Sequence, residues 1–406
     1  METVSARNRR LGREELKGNP HPRDASRATR LGISDHGLSV NDLPPLHGTP
    51  RDPLRIALIS TPFLAVPPKD YGGTELIISE LAEGLTEAGH QVTLFATGDS
   101  QSSAELRFHY PSGQWPPNPL DDLNHLSWAL RLVEEGNFDV VHVHSAAALA
   151  FGRVMPRLPL VYTLHHPPLP DLSQFYRQFP DPFFIAISDR QRELEVPLPR
   201  CDVIHHGLAA ERFQWTETPQ DFVCFVGRFT EIKGPHTAID AAAAAGVPIR
   251  IAGEVHPPDR EFAERELAPR LRLPHVTNLG CIGIDRKVPL LRDARALLAP
   301  ITWEEPFGLI LIEAMLSGCP AIVFPRGAAP ELVEPGVTGY LVNTMEEMAD
   351  VIRPGGVLER FDRKRCRQEA ERRFGRGRLI ADHLRIYRAA IAEHRASGAL
   401  ATNSAA

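Results

Sequence analysis

Short apolar runs alternate with longer amphipathic stretches along this chain, and they do so in two successive sets. Residues 54–60 (LRIALIS) form an apolar run of the kind buried in a parallel sheet. A loop with Pro62, Pro67, Pro68 and the pair Gly72-Gly73 follows. Residues 74–89 then predict a helix, with Leu76, Ile77, Leu81 and Leu85 at helical spacing and Gly89 as its stop. With a strand over 91–96 this completes a βαβ unit. Residues 140–144, 160–164 and 183–187 predict further buried strands. The rhythm restarts with a strand over 222–226, a helix over 234–246 and a strand over 249–252. Residues 276–279, 296–299 and 321–324 continue it, and 376–396 predict a long terminal helix. Periodicity lapses over 207–220. Two such sets predict an α/β protein of two doubly wound, Rossmann-like domains facing an interdomain cleft, the default place for a ligand.

The chain has 406 residues, enough for two domains. A formal net charge of -6 gives no basic surface for nucleic acid. There is no run of about 18 apolar residues, so no integral membrane segment is expected. Five cysteines without a CxxC pair read as free thiols of a reducing compartment, hence a cytoplasmic location. The N-terminus has no apolar signal-peptide core. Residues 1–50 are rich in Arg, Gly, Pro, Asn and Asp, which predicts a disordered extension. The expected domains are 51–206 and 207–375, then a terminal helix over 376–398 and a tail over 399–406. Oligomeric state is not legible.

The densest chemistry lies in WEEPFGLILIEAMLSGCP, residues 303–320. Glu305 and Glu313 stand eight positions apart, a spacing that predicts both carboxylates near one face of a helix start. Buried carboxylates need partners, and sugar or ribose hydroxyls are suitable donors. Gly308 permits close backbone approach, and the amides of Phe307, Gly308 and Leu309 would face the ligand at the helix N-terminus. Upstream, GRFTEIKG places Arg228 after a strand and Lys233 before a helix, a forked donor and a point charge for a diphosphate. Gly72 and Gly73 lie at the first βα turn, without the spacing of a dinucleotide fingerprint; a tight turn without ligand contact is the other reading. His142 and His144 alternate in a predicted buried strand and read as structural. No Asp-x-Asp occurs, so no metal site and no cofactor are expected, with fixed cations in a metal's place.

These motifs, in this order, resemble glycosyltransferase family 4, the retaining sugar-nucleotide transferases of the GT-B architecture, over about residues 54–395. The resemblance implies that Arg228 and Lys233 bind the donor diphosphate, and that the glycine loop of Gly72 and Gly73 sits near the leaving phosphate and acceptor. It implies that His165 contacts the donor sugar near its reacting carbon, and that the terminal helix crosses back onto the first domain. His166 stands where the family often has Gly and is assigned nothing. His206 stands where the family often has an Asn that supports the interdomain hinge. Glu331 and residues 336–339 read as turn and helix-cap residues. The expected reaction is metal-independent, retaining transfer of a hexosyl group from a nucleoside-diphosphate sugar to an acceptor hydroxyl. The candidate catalytic residues are His165, Arg228, Lys233 and Glu305. Glu305 is assigned to the sugar hydroxyls and Glu313 to the ribose. The base is open between UDP, GDP and ADP, and family frequency points to UDP-glucose; the acceptor is not identified. A sugar-nucleotide epimerase and a non-catalytic nucleotide-sugar-binding protein of the same fold are the alternatives. A phosphorylase would need a cofactor lysine and a longer chain.

Overall fold

The computed structural model describes residues 53–69, 72–153 and 158–404, with side chains described to residue 396. The extension expected over 1–50 lies outside the described residues. Two parallel sheets organise the rest. The first holds β1 (Arg55–Ile59), β2 (Gln91–Ala96), β3 (Glu105–Phe108), β4 (Val140–Val143), β5 (Leu160–Thr163), β6 (Phe183–Ala186) and β7 (Cys201–Val203), in the order β3-β2-β1-β4-β5-β6-β7. The second holds β8 (Val223–Val226), β9 (Ile249–Ala252), β10 (Val276–Asn278), β11 (Leu297–Ala299), β12 (Ala321–Val323) and β13 (Gly339–Leu341), in the order β10-β9-β8-β11-β12-β13.

Strand order reverses between β1 and β4 in the first sheet and between β8 and β11 in the second. Chains leaving neighbouring strands at such a point turn to opposite faces and leave a crevice beyond the strand ends. The loop after β1 carries Gly72 and opens a helix at Gly73, the loop after β4 carries His144, and those after β8 and β11 carry Arg228, Lys233 and Glu305. The order of short apolar runs along the chain thereby brings the chemically marked loops to the two switch points.

The central strands are buried on both faces, as their mostly apolar composition favours: β4, apolar apart from His142, and β12 contain no exposed residue. β3 differs. It is an edge strand of sequence ELRF, exposed at both ends and without an apolar run. The helix Pro119–Glu135 also has no counterpart in the sequence reading; its Asn118 side chain caps the Leu120 amide, and Pro119 opens it.

The terminal helix Arg376–Ser404 runs past residue 398, where the sequence reading ends it. The alanines around Gly398 have the highest helix propensity, and one glycine among them is too small a penalty to break the helix. Its buried face, with Leu379, Ile380, Ile386, Tyr387 and Ala390, lies on the first domain. Ile380 sits directly over Gly84 of the helix Gly73–Glu87, and Tyr387 Oη bonds His142 Nδ1 at 2.7 Å. Among the described residues, no helix is long and apolar enough to cross a membrane.

Candidate active site

The helix Leu309–Leu316 is almost wholly apolar, so it is sunk between the second sheet and its neighbours. Gly308 caps it with φ 97°, a conformation that a side chain would strain. Glu305 is not on this helix, which corrects the expectation of two carboxylates on one helical face. It lies in the loop before it, because Pro306 and the left-handed Gly308 delay the start of helix to Leu309. Glu313 is inside the helix and 2% exposed.

Both carboxylates have lysine partners. Lys233 Nζ bonds Glu305 Oε2 at 2.5 Å, and Trp303 Nε1 bonds the same oxygen at 2.6 Å. Lys287 Nζ bonds Glu313 Oε1 at 2.6 Å. Lys233, between β8 and its helix, and Glu305, after β11, are thus joined across the second domain's switch point. An ammonium has three N–H donors, so Lys233 retains capacity for a further anion.

Arg228 stands on the loop that carries Lys233. Its Nε is buried and has no hydrogen-bond partner among the described residues. Its nearest carboxylate, Asp259 Oδ2, lies 3.9 Å away, beyond hydrogen-bonding distance. A buried guanidinium donor without an acceptor is costly, and an anionic ligand would satisfy it.

The first domain meets this site at two places. Gly73 lies against Leu309: a Cβ added there would stand 3.1 Å from Leu309 Cδ1. Beside Gly72 and Gly73, Glu75 is buried and accepts from Thr61 Oγ1 at 2.9 Å. Burial raises its carboxyl, opposed by its backbone hydrogen bond and by Thr61. The second place is a row of imidazoles. His165 Nε2 and His144 Nδ1 are 2.8 Å apart, His144 packs on His142 with ring centres 4.4 Å apart, and His206 stacks on His165 at 6.0 Å. His206 then meets Phe307 edge-on at 4.8 Å, so the row ends on the loop of Glu305. Burial, with His166 beside it, pushes His165 down to about 3. Burial and the neighbouring imidazoles keep His142 and His144 far below the usual range. The row is neutral at pH 7.

A clamp joins the domains beside the site. Glu331 accepts from the amides of Asp189 and Arg190 at 2.9 and 3.0 Å and from His205 Nε2 at 2.9 Å. Arg190 Nε bonds Glu304 Oε2 at 2.8 Å. Burial pushes the Glu331 carboxyl up, but His205 and the two amides outweigh it and hold it low. Asp189, His205 and Glu331 have the geometry of a three-ligand metal site. The bonds Glu331 already accepts explain the cluster without a metal.

Two adjoining family models together match residues 71–372. The description Glycosyltransferase Family 4 covers residues 71–208, and Glycosyl transferases group 1 covers 209–372. The chain belongs to glycosyltransferase family 4. Its two parallel-sheet domains and cleft are the GT-B fold. The chain is 29% identical to spore coat protein SA of Bacillus subtilis over 82% of this chain and 99% of that protein. It is 26% identical to the D-inositol 3-phosphate glycosyltransferase of Mycolicibacterium smegmatis, over 85% and 93%. Sucrose-phosphate synthase from Thermosynechococcus elongatus shares the fold with a TM-score of 0.71, at 20% identity over 84% of this chain and 100% of that one. Anabaena HepE, solved in complex with UDP and glucose, does so with a TM-score of 0.66, at 19% identity over 83% and 100%. This family 4 chain is therefore a glycosyltransferase acting on nucleotide sugars. Lys287 and the His144 partner of His165 escaped the sequence reading. The only signal for Lys287 was a buried carboxylate in need of a cation, which does not say where the cation lies.

Proposed function

We propose that this enzyme transfers a hexosyl group from a nucleoside-diphosphate sugar, UDP-glucose first among candidates, to an acceptor hydroxyl, with retention and without a metal. The observation that carries this reading is the Nε of Arg228, buried and without a partner among the described residues, beside Lys233 at a switch point. Arg228 and Lys233 bind the diphosphate and stabilise the charge that grows on it as the C1–O bond breaks. Glu305, braced by Lys233 and Trp303, accepts from sugar hydroxyls, and Glu313 accepts from the ribose. The amides of Phe307, Gly308 and Leu309 complete the donor site. Gly72 and Gly73 let the first domain approach the leaving phosphate, and neutral His165 offers a hydrogen bond to the sugar. The acceptor oxygen attacks C1 from the leaving-group face, and its proton passes to the departing diphosphate. HepE was also solved in complex with UDP-glucose, which supports a UDP-sugar donor. No cofactor enters, because two fixed cations neutralise the leaving group. A cytoplasmic location fits the supply of nucleotide sugars.

Labelled UDP-glucose, GDP-mannose and ADP-glucose, each with and without EDTA, test this. The expected result is a labelled α-glycoside from one donor, at unchanged rate with EDTA. Metal-reversible loss of all transfer, or a β-linked product, would contradict it.

A further inference from the structure

We propose that Lys287 is a positioning residue for the nucleotide ribose, acting through Glu313. This rests on the reading above in which Glu313 binds ribose. Lys287 lies on the helix Ile284–Asp293, and Glu313 on the helix Leu309–Leu316. Their 2.6 Å contact is sealed, with side chains 16% and 3% exposed. A buried ion pair is a poor device for stability, because desolvation of both ions cancels most of the attraction. Its retention inside an otherwise apolar helix therefore points to a task. The contact uses Oε1 of Glu313, so Lys287 fixes the carboxylate's rotation. Oε2 is then presented as a strong acceptor for a ribose hydroxyl. Lys287 does not touch the sugar itself. It makes the site read a ribose that carries its hydroxyls.

The test is calorimetric titration with whichever of UDP, GDP and ADP binds the native enzyme most tightly, beside its 2′,3′-dideoxy form. The native enzyme should prefer the ribonucleotide. Lys287→Met should lose about tenfold or more in ribonucleotide affinity, the scale of one charge-assisted hydrogen bond, and leave dideoxynucleotide affinity unchanged. Glu313→Gln should remove the same preference. In Lys287→Met/Glu313→Gln, which leaves no unpaired buried charge, the lysine substitution should add nothing further. If Lys287→Met folds poorly, the double variant and Lys287→Arg carry the comparison, with Arg keeping most of the preference. Loss of preference in Glu313→Gln but not in Lys287→Met would overturn the positioning role and leave the ribose reading intact. An unchanged preference in Glu313→Gln would overturn both. Equal loss of both nucleotides in Lys287→Met would mean direct contact with base or phosphate, and would also overturn it.

Discussion

At Arg228 one buried N–H waits for an acceptor, and at Lys233 two donors remain beyond the bond to Glu305. On the proposed reading, removing either charge takes away a donor aimed at the leaving group. Arg228→Ala and Lys233→Ala should each lower kcat/KM by about two orders of magnitude, the cost of deleting one preorganised donor. Steady-state rates at low donor concentration check this, and near-native turnover would mean that the diphosphate lies elsewhere. The two glutamates should separate. Glu313→Gln should weaken both donor and free nucleoside diphosphate, by about 1.5–3 kcal/mol for a charged hydrogen bond. Glu305→Gln should weaken donor binding or turnover and spare the free nucleotide. Equal losses of nucleotide affinity would show that the two roles are drawn wrongly. These residues were legible because backbone and side chain announce them together: a glycine, a cation or carboxylate, and a helix start. Lys287 was not, because its partner stands on another helix and neither residue marks the pairing.

The strands that lead into the site carry a different risk, because His125, His142, His144, His206 and His383 are buried, His165 is half-buried, and all six are uncharged in and around the first sheet. Burial holds His125 and His383 down to about 4 and His165 to about 3. In the unfolded chain each returns to about 6.5. Between about pH 6.5 and 4 the unfolded chain therefore binds more protons, so stability falls as pH falls through that window. Glu75, Glu80 and Asp122, raised by burial, act in the opposite sense but are fewer. The melting temperature should drop steadily from pH 7 to pH 5; a flat profile would mean that water reaches the imidazoles. At this scale the apolar runs were readable and the polar elements were not. β3, with charged residues and exposed at both ends, and the helix Pro119–Glu135, with acidic residues in its first turn and few buried positions, owe their existence to neighbours rather than to a local pattern.

Across the whole molecule the two domains are tied by Glu331, Arg190 and Glu304. Glu331→Ala leaves the Asp189 and Arg190 amides, at the start of the helix Asp189–Leu194, and His205 without their acceptor, and should cost about 1–3 kcal/mol in denaturant unfolding. Amide exchange at Asp189 and Arg190 should quicken; unchanged exchange would mean that the clamp is idle. Glu331 sits in a stretch that reads as turn and cap, and it does cap a helix, but one in the other domain, which spacing along a chain does not reveal. The terminal helix has a further consequence. Tyr387 seals His142, and Ile380 covers Gly84, so the first domain's interior is closed by residues that follow the second domain's strands in the chain. On the ribosome, the first domain must wait, with that flank uncovered, until the second domain and this helix have emerged and the chain has come back to it.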